Sequence, residues 1–358
     1  MHPKRPMLAI TMGDPAGVGP ETIVGAWSDP RVHRLCNAVV LGHPAFLRRA
    51  AALMGSRCEV VTVESVGEAH STAHCIPCLA CGPESALDVP SATIDPRSGE
   101  AAFQAVMRAA QLALANEVDG IVTAPLHKAA LDRAGHHYPG HTELLAELCG
   151  VSDFAMMLYL APSKTIRGPI GLGVVHVTLH MALRDVFGHL TSEAIVAKAR
   201  LADRVMRAMR DAADDNPPRL AVCALNPHAG EEGLIGEEER TIIRPAVEQA
   251  RAAGLNIVGP LPTDTLMVRA RDGEFDAVVA MYHDQGHIAL KLLGMHQAVN
   301  ITLGLPIVRT SVAHGTAFDL AWQGRADSSS MIEAIRVAAG LAVAEFARIP
   351  GRSPSAIG

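Results

Sequence analysis

The feature that most constrains the fold is an alternation of short apolar segments, rich in β-branched residues, with Ala-rich amphipathic segments along almost the whole chain. This alternation is typical of repeated strand and helix units, which form a largely parallel sheet covered by helices. The predicted fold class is therefore α/β. Strands are predicted at Met7–Met12, Ala38–Leu41, Gly120–Thr123, Gly171–Val177, Leu220–Leu225, Asp276–Met281 and Val299–Thr302. Helices are predicted at Glu100–Asn116, Ser192–Asp214, Glu237–Ala253 and Ser329–Ala347.

The length of the chain, 358 residues, exceeds what one ordinary hydrophobic core accommodates and predicts two domains. The segment HHYPGH, His136 to His141, is a candidate crossing between them because Pro139 and Gly140 interrupt two helical patterns. Ser328 to Ser330 precede the last apolar stripe and can cap its helix. We therefore expect the C-terminal helix to return to the body of the protein.

Composition excludes several classes of protein. Aromatic residues make up only 3% of the chain and the formal charge is −6, which argues against a nucleic-acid partner. No apolar run is long enough to span a bilayer, and the run Met7–Met12 is too short for the core of a signal peptide. Seven cysteines, an odd number, favour reduced thiols over a disulfide framework. We expect a cytoplasmic protein with neither a nucleic-acid nor a membrane partner.

One cysteine cluster has spacing that could ligate zinc or an iron–sulfur cluster: His74, Cys75, Cys78 and Cys81 in HCIPCLAC. A second cysteine pair is missing, and Pro77 lies inside the apolar segment. We favour the alternative interpretation, an edge strand with buried thiols, because free cysteine is among the most often buried residue types.

A glycine-rich loop, MGDPAGVGPE, runs from Met12 to Glu21 between the first strand and a helix that begins near Pro20. Gly13, Gly17 and Gly19 permit a tight turn with exposed backbone. The pattern is not the G-x-G-x-x-G dinucleotide fingerprint. Ligand binding and simple helix–strand packing both remain open as explanations of the loop.

Three predicted strands each deliver one histidine at or just beyond their carboxyl end, which is the edge where open α/β sheets bind ligands. His180 follows the strand in VHVTLH, His228 follows Leu220–Leu225, and His283 follows the strand that ends in AMYHDQG. Three neutral imidazoles suit zinc or another divalent metal with positions left open for a substrate. The alternative for each is a hydrogen-bonded interior or helix-capping histidine. Their shared position at strand ends favours the metal site for the set.

Further residues could hold an anionic substrate. A phosphate could be bound by three residues of different chemistry. Lys291 supplies a point charge, Asn300 an amide donor and Arg309 a fork of donors. His141 and Thr142 in GHTE add donors near the proposed domain crossing. Each of these residues taken singly is more typical of a solvated surface.

Eight motifs together resemble the 4-hydroxythreonine-4-phosphate dehydrogenase family. They occur in the family's order from about Met7 to about Ala339: MGDPAGVGPE, APLHK, GHTELLAE, LNPHAGE, GPLPTDT, MYHDQG, VNITLGLPIVRTS and HGTAFD. The resemblance implies a homodimer of two α/β domains similar to isocitrate and isopropylmalate dehydrogenases, without a G-x-G-x-x-G Rossmann motif. We expect residues 1–137 plus 306–358 to form domain 1. Residues 138–305 are expected to form domain 2, with the metal and substrate site and the dimer interface.

The resemblance also implies site residues and a reaction. His180, His228 and His283 fall on the family's metal ligands, which come from both subunits. His141, Thr142, Lys291, Asn300 and Arg309 fall on its substrate contacts. The family oxidises a secondary alcohol β to a carboxylate with NAD or NADP and then releases CO₂. Zinc is the expected metal, with magnesium or cobalt as alternatives. Asp264 and Asp284 are both candidates for the general base.

The substrate stays open between two groups of 4-phosphorylated acids. The family default is 4-phosphohydroxy-L-threonine, converted to 3-amino-2-oxopropyl phosphate in pyridoxal phosphate biosynthesis. The segment MYHDQGHIALKLLG is more similar to the branch that acts on 4-phospho-D-threonate or 4-phospho-D-erythronate, giving dihydroxyacetone phosphate and CO₂. Ala313 in SVAHGTA stands where the family usually has Asp, which removes one carboxylate. A remote alternative is a non-catalytic binding protein with the same fold.

Overall fold

The structure, a computed structural model, describes residues 5–210 and 214–348 and divides into two units, each with its own group of strands. Unit 1 comprises Met1–Ser152 and Leu305–Gly358, and unit 2 comprises Asp153–Gly304. The first crossing between domains was predicted between residues 137 and 138, whereas this division falls between 152 and 153. No helix among the described residues is long and apolar enough to cross a membrane.

The described residues include twelve strands and twelve α-helices. The strands are β1 (Met7–Thr11), β2 (Asn37–Gly42), β3 (Glu59–Val63), β4 (Cys75–Ala80), β5 (Gly120–Thr123), β6 (Ala155–Leu160), β7 (Leu172–His176), β8 (Leu220–Cys223), β9 (Ile257–Leu261), β10 (Ala277–Ala280), β11 (Val299–Leu303) and β12 (Arg309–Val312). The helices are α1 (Gly19–Trp27), α2 (Pro30–Leu35), α3 (Pro44–Leu53), α4 (Pro96–Leu114), α5 (Lys128–Arg133), α6 (His141–Leu148), α7 (Leu183–His189), α8 (Ser192–Ala208), α9 (Arg244–Ala252), α10 (Thr263–Arg271), α11 (His283–Gly294) and α12 (Ser329–Arg348).

The predicted α/β class is confirmed. In unit 1 the strand order is β3-β4-β2-β1-β5-β12 and the paired neighbours are parallel. In unit 2 the order is β11-β6-β7-β10-β8-β9, with antiparallel pairing only at β11–β6 and β6–β7. The central strands are buried along their whole length, as in the LAIT part of β1 and the AVVA of β10. Continuous apolar runs of this kind are typical of parallel strands covered on both sides by helices.

Each of the predicted strands overlaps an observed one, and β4 coincides with the segment predicted as an edge strand, but four observed strands were not predicted: β3, β6, β9 and β12. The helix predicted at Ser192–Asp214 ends earlier, at Ala208, and residues 211–213 lie outside the described residues. The helix predicted at Glu237–Ala253 is divided into a π-helical turn, Glu239–Ile243, and α9. Pro245 lies in the first turn of α9, where its missing N–H does not interrupt a regular α-helical ladder.

The prediction that Pro77 lies on an edge strand is wrong. Strand β4 lies between β3 and β2, and β3 forms the edge. Proline is tolerated there because Pro77 pairs with Val61 of β3, while the pairing with β2 begins only at Cys78. Cys78 is buried and its Sγ lies 3.3 Å from the Gly42 carbonyl oxygen, whereas Cys75 and Cys81 are half-buried.

Candidate active site

The order of strands in unit 2 brings the three histidine-bearing strand ends to one edge of the sheet. Strand β10 pairs in parallel with β7 on one side and with β8 on the other. His180 follows β7, His283 follows β10, and His228 follows β8. Because parallel neighbours end at the same edge, this adjacency is the arrangement that a site built from all three strands requires.

Parallel pairing continues beyond β7 and β10 and explains why His180 and His283 meet. The Val177 backbone N–H donates to the Ala280 carbonyl at 2.9 Å. The Thr178 hydroxyl and its backbone N–H both donate to the Met281 carbonyl, at 2.8 and 3.2 Å. Two residues further along each chain segment, the His180 and His283 ring centroids are 5.9 Å apart.

The carboxylate of Asp284 orients the His283 ring. Asp284 Oδ1 lies 2.7 Å from His283 Nδ1, which leaves Nε2 as the other nitrogen of the ring. Gln285 fixes the first turn of α11 through two hydrogen bonds of 2.7 Å. Its Oε1 accepts from the Met281 N–H, and its Nε2 donates to the Ala224 carbonyl. Gln285 thus joins the end of β10 to the segment that follows β8.

His228 lies in an unusual turn after β8. Residues 228–232 all have left-handed backbone conformations, although only one of the five is glycine. Such conformations are costly for other residues and persist where surrounding contacts hold them. Buried Glu239 fixes the segment just before this turn by accepting the backbone N–H groups of Leu225 and Asn226 at 2.8 and 2.7 Å. The turn leaves the His228 side chain 68% exposed, with Nδ1 2.8 Å from Glu231 Oε1.

The residues present fit a divalent metal in their chemistry. Two of the three predicted ligands, His228 and His283, have Nδ1 paired with a carboxylate, the outer-shell pattern of metal-binding histidines. Within one chain, His180 contacts His283, with ring centroids 5.9 Å apart. No group of three or more His, Cys, Asp or Glu side chains in the described ranges of a single chain could hold a metal ion.

Two further histidines, which sequence reasoning missed, lie behind His283. His287 is 6% and His176 is 1% exposed, and burial together with neighbouring imidazoles lowers the pKa of His287 to about 4 and that of His176 to about 3. His287 Nδ1 lies 3.0 Å from His176 Nε2. The spacing of His283 and His287, one helical turn apart in HDQGH, was the signal that could have identified His287.

The remaining predicted residues of unit 2 lie on separate elements. Asp264 is exposed at the start of α10 and its Oδ1 accepts from the Thr265 N–H at 2.8 Å. Lys291 is half-buried on α11, two turns after His283, and its charge contributes to the lowered pKa of His287. Asn300 is half-buried in β11 opposite Leu158 of β6.

Unit 1 contains a cationic group around Arg309. The guanidinium is buried at the start of β12, and burial lowers its pKa to about 10. It donates to the Thr123 hydroxyl at 2.6 Å. The pKa of His141 is held well below its usual value by burial and by the charges of Arg309 and Lys128, so its imidazole is neutral. His141 Nε2 is buried with no hydrogen-bond partner among the described residues. A buried fork of donors beside a neutral imidazole with an unused nitrogen is suited to an anion.

The glycine-rich loop packs tightly within unit 1. Gly13 has φ +72°, and a Cβ there would lie 2.3 Å from the Pro125 carbonyl oxygen, so only glycine fits. The next residue, Asp14, is fully buried, and its Oδ1 accepts the Ala16 N–H at 2.9 Å. Burial raises the pKa of Asp14 from 3.8 to about 6, against a smaller lowering by that hydrogen bond.

We expect Asp14→Asn to stabilise the protein at neutral and alkaline pH. The folded-state pKa lies above the ordinary value, so the protonated carboxyl stabilises the fold fully below pH 3.8 and loses this contribution as pH rises through about 6. The free energy of unfolding of Asp14→Asn minus that of the wild type should grow from near zero in acid to about 3 kcal/mol above neutrality. Urea denaturation across this pH range measures the difference. A difference independent of pH would contradict the assignment, and exposed Asp88→Asn is the control.

Comparison with known proteins identifies close relatives. The chain matches the family described as pyridoxal phosphate biosynthetic protein PdxA over residues 34–338. It is 44% identical to D-threonate 4-phosphate dehydrogenase of Salmonella typhimurium, over 94% of this chain and 98% of that protein. It is also 44% identical to 4-hydroxythreonine-4-phosphate dehydrogenase of Trichlorobacter lovleyi, over 96% and 99% of the two chains. A crystal structure of 4-hydroxythreonine-4-phosphate dehydrogenase from Klebsiella pneumoniae matches with a TM-score of 0.82 and 42% identity, over 94% and 99%. Relatives with two different substrate names are thus equally similar in sequence.

Proposed function

Because the chain belongs to the PdxA family of pyridoxal phosphate biosynthetic proteins, we propose that it is a metal-dependent, NAD(P)-linked dehydrogenase that oxidises and decarboxylates a 4-phosphorylated four-carbon 3-hydroxy acid. The default substrate is 4-phosphohydroxy-L-threonine, which loses a hydride and CO₂ to give 3-amino-2-oxopropyl phosphate. The alternative substrates are 4-phospho-D-threonate and 4-phospho-D-erythronate, which would give dihydroxyacetone phosphate and CO₂.

The observation that carries this proposal is the pairing of His180 and His283 at two adjacent parallel strand ends, with the His283 ring oriented by Asp284. We propose that His180, His228 and His283 hold a divalent metal, zinc by preference, with magnesium or cobalt as alternatives. When bound, such an ion stabilises negative charge on a substrate oxygen. The contribution of the chain is to present imidazole nitrogens in fixed orientations, which the carboxylates of Asp284 and Glu231 support.

Substrate binding is assigned to His141, Thr142, Lys291, Asn300 and Arg309. The buried Arg309 fork and the unused nitrogen of His141 support anion binding in unit 1. Holding the charged end of the substrate would fix the orientation of the carbon that is oxidised. Between the two candidates for the general base, Asp284 already pairs with His283, which supports an orienting role and leaves Asp264 as the candidate base.

A panel of 4-phosphorylated acids tests the proposed activity. The native protein, supplied with a divalent metal and either NAD⁺ or NADP⁺, should reduce the dinucleotide with at least one acid of the panel. A protein that turns over none of them under any of these conditions would instead support the non-catalytic alternative.

The choice between amino and hydroxy acids is expected to depend modestly on Ala313. A 2-amino group is cationic at neutral pH and gains from a nearby carboxylate, whereas a 2-hydroxyl group needs only a hydrogen-bond partner. We therefore expect measurable turnover of 4-phospho-D-threonate or D-erythronate by the native protein. Ala313→Asp should raise kcat/KM for the amino acid relative to the hydroxy acids by about 10-fold, the value of one hydrogen bond to a charged group. A strong native preference for the amino acid that Ala313→Asp leaves unchanged would contradict this argument.

Exposed apolar side chains support the proposed homodimer. The side chains of Leu183 and Phe187 on α7, of Ile288 and Leu292 on α11, and of Met295 directly after α11 are all more than half exposed in the single chain. Ile288 and Leu292 are one helical turn apart and form an exposed apolar stripe on the helix that carries His283, which Met295 extends. Contiguous exposed apolar surface of this kind marks an interaction site, and a second copy of the chain is the partner that the family resemblance implies. The exposed His228 would then be available to the partner's site.

Leu292→Asp is expected to convert the dimer to monomers and to lower activity at least about 100-fold, because a charge placed in an apolar interface costs several kcal/mol. Leu292 is 84% exposed, so the folded chain should tolerate the change. Sedimentation and steady-state rates measured on the same samples provide the test. Leu87→Asp, at an exposed position of unit 1, is the matched control. A fully active monomer would refute the shared site.

A further inference from the structure

We propose that His287, held by His176, is a positioning residue that fixes the His283 ring for metal coordination. This inference rests on the metal site of the proposed function and extends it to two buried histidines with no other assigned role. All of the contacts that carry it lie within unit 2.

The first contact is between the rings of His283 and His287. Their centroids are 3.9 Å apart and their planes differ by 9°, so the two imidazoles are stacked in parallel. One side of the His283 ring therefore rests on His287, while its Nδ1 is paired with Asp284 at 2.7 Å. A carboxylate alone leaves the ring free to turn about that hydrogen bond. The stacked ring removes this freedom and so fixes the direction of Nε2.

The second contact fixes His287 itself. His287 Nδ1 and His176 Nε2 are 3.0 Å apart, and one of these nitrogens donates to the other. His176 is the last residue of β7, the strand that leads to His180. His176 therefore connects the strand that carries one proposed ligand to the helix that carries another.

Gly286 makes this connection possible. A Cβ at Gly286 would lie 2.5 Å from His176 Nε2 and 2.5 Å from Val174 Cγ1, both closer than side chains tolerate. Only glycine at this position lets α11 approach β7 closely enough for the two histidines to bond. The glycine of HDQGH is thus explained by the packing of His176 against the helix.

Binding of Co²⁺ tests the inference independently of catalysis. Dissociation constants from competition with a chromophoric chelator, together with the visible absorption of bound Co²⁺, report affinity and ligand geometry. His287→Leu and His176→Leu should each weaken Co²⁺ binding about 10- to 100-fold, the usual effect of losing an outer-shell partner. Each should also shift the Co²⁺ absorption band. The double variant should bind Co²⁺ no more weakly than the single variant of lower affinity, because both residues act through the His283 ring.

His287→Asn is the second variant in case leucine prevents folding. Its amide can keep the bond to His176 but lacks the stacked ring, so it too should weaken Co²⁺ binding. Exposed His70→Leu in unit 1 is the matched control and should bind as the wild type does. If His283→Ala loses the metal while the His287 variants bind within about twofold of wild type with an unchanged spectrum, the positioning role is wrong and the metal site stands. If His283→Ala binds Co²⁺ as well as the wild type, the proposed metal site fails and the positioning role fails with it.

Discussion

His283→Ala is expected to lower kcat/KM by at least about 10³-fold and to abolish stoichiometric binding of the divalent metal. Charge stabilisation by a bound metal contributes several kcal/mol to catalysis, and each 1.4 kcal/mol corresponds to about tenfold in rate. His283 is the residue that contacts both His180 and the orienting Asp284, so its loss affects the whole group. Metal content of the purified variant and initial rates of NAD(P)H formation measure the two effects. A variant that retains both metal and activity would remove His283 from the site.

Asp284→Asn distinguishes an orienting carboxylate from a general base. An orienting role predicts a loss of about 10- to 100-fold in metal affinity or activity, with the shape of the pH–rate profile unchanged. Loss of a general base would instead remove the acidic limb of that profile. Asp264→Asn is the comparison, since Asp264 pairs only with the backbone N–H of its neighbour among the described contacts.

Arg309→Met is expected to raise KM for phosphorylated substrates strongly, lowering kcat/KM by about 10²- to 10³-fold, while stability is kept or increased. Two charge-assisted hydrogen bonds to an anion contribute about 1.5–3 kcal/mol each. Burial lowers the pKa of Arg309 to about 10 against a smaller raising by the charge of Glu143, so the folded protein bears the cost of a desolvated cation. An apolar side chain of similar length removes that cost. Loss of substrate binding with retained stability is expected for a functional arginine, whereas replacement of a structural arginine would lower stability.

Thermal unfolding with and without inorganic phosphate tests anion binding by Arg309 directly. Phosphate should raise the Tm of the wild type and of Arg48→Met, a control on the surface of unit 1, but not that of Arg309→Met. Arg309→Lys should recover only part of the effect because a point charge lacks the fork of donors. An unchanged KM in Arg309→Met would exclude this residue from substrate binding.

The family and the fold class were accessible from the sequence because both depend on local pattern. Alternating apolar and amphipathic segments identified the α/β class, and the eight ordered motifs identified the family to which the chain belongs. Three of the strands that were missed, β3, β9 and β12, depart from this pattern in composition, whereas β6 (AMMLYL) does not. Strand β3 is half exposed at the sheet edge, and β9 contains Gly259 and Pro260. Strand β12 begins with a buried arginine, which no hydrophobic pattern predicts.

The candidate site was accessible only in part. Histidines at strand ends could be recognised in the sequence because each lies within a few residues of the apolar run that forms its strand. The order β7-β10-β8 was not visible, since strands separated by dozens of residues become neighbours only through helical crossovers. His176 and His287 escaped notice for a related reason. Each lies within an apolar element, and their bond joins residues 111 positions apart in the chain.

The sequence by itself determined the class of fold, the family and the chemical types of the residues that a metal and an anion would need. The tertiary structure decided which of these residues are in contact, which carboxylate orients each imidazole ring, and which polar groups are buried. Orientation and burial depend on contacts between distant segments, such as Thr178 with Met281 and Arg309 with Thr123. Protonation follows from the same contacts, because Asp14 and His176 would have the ordinary pKa of any Asp or His if packing did not remove water from them.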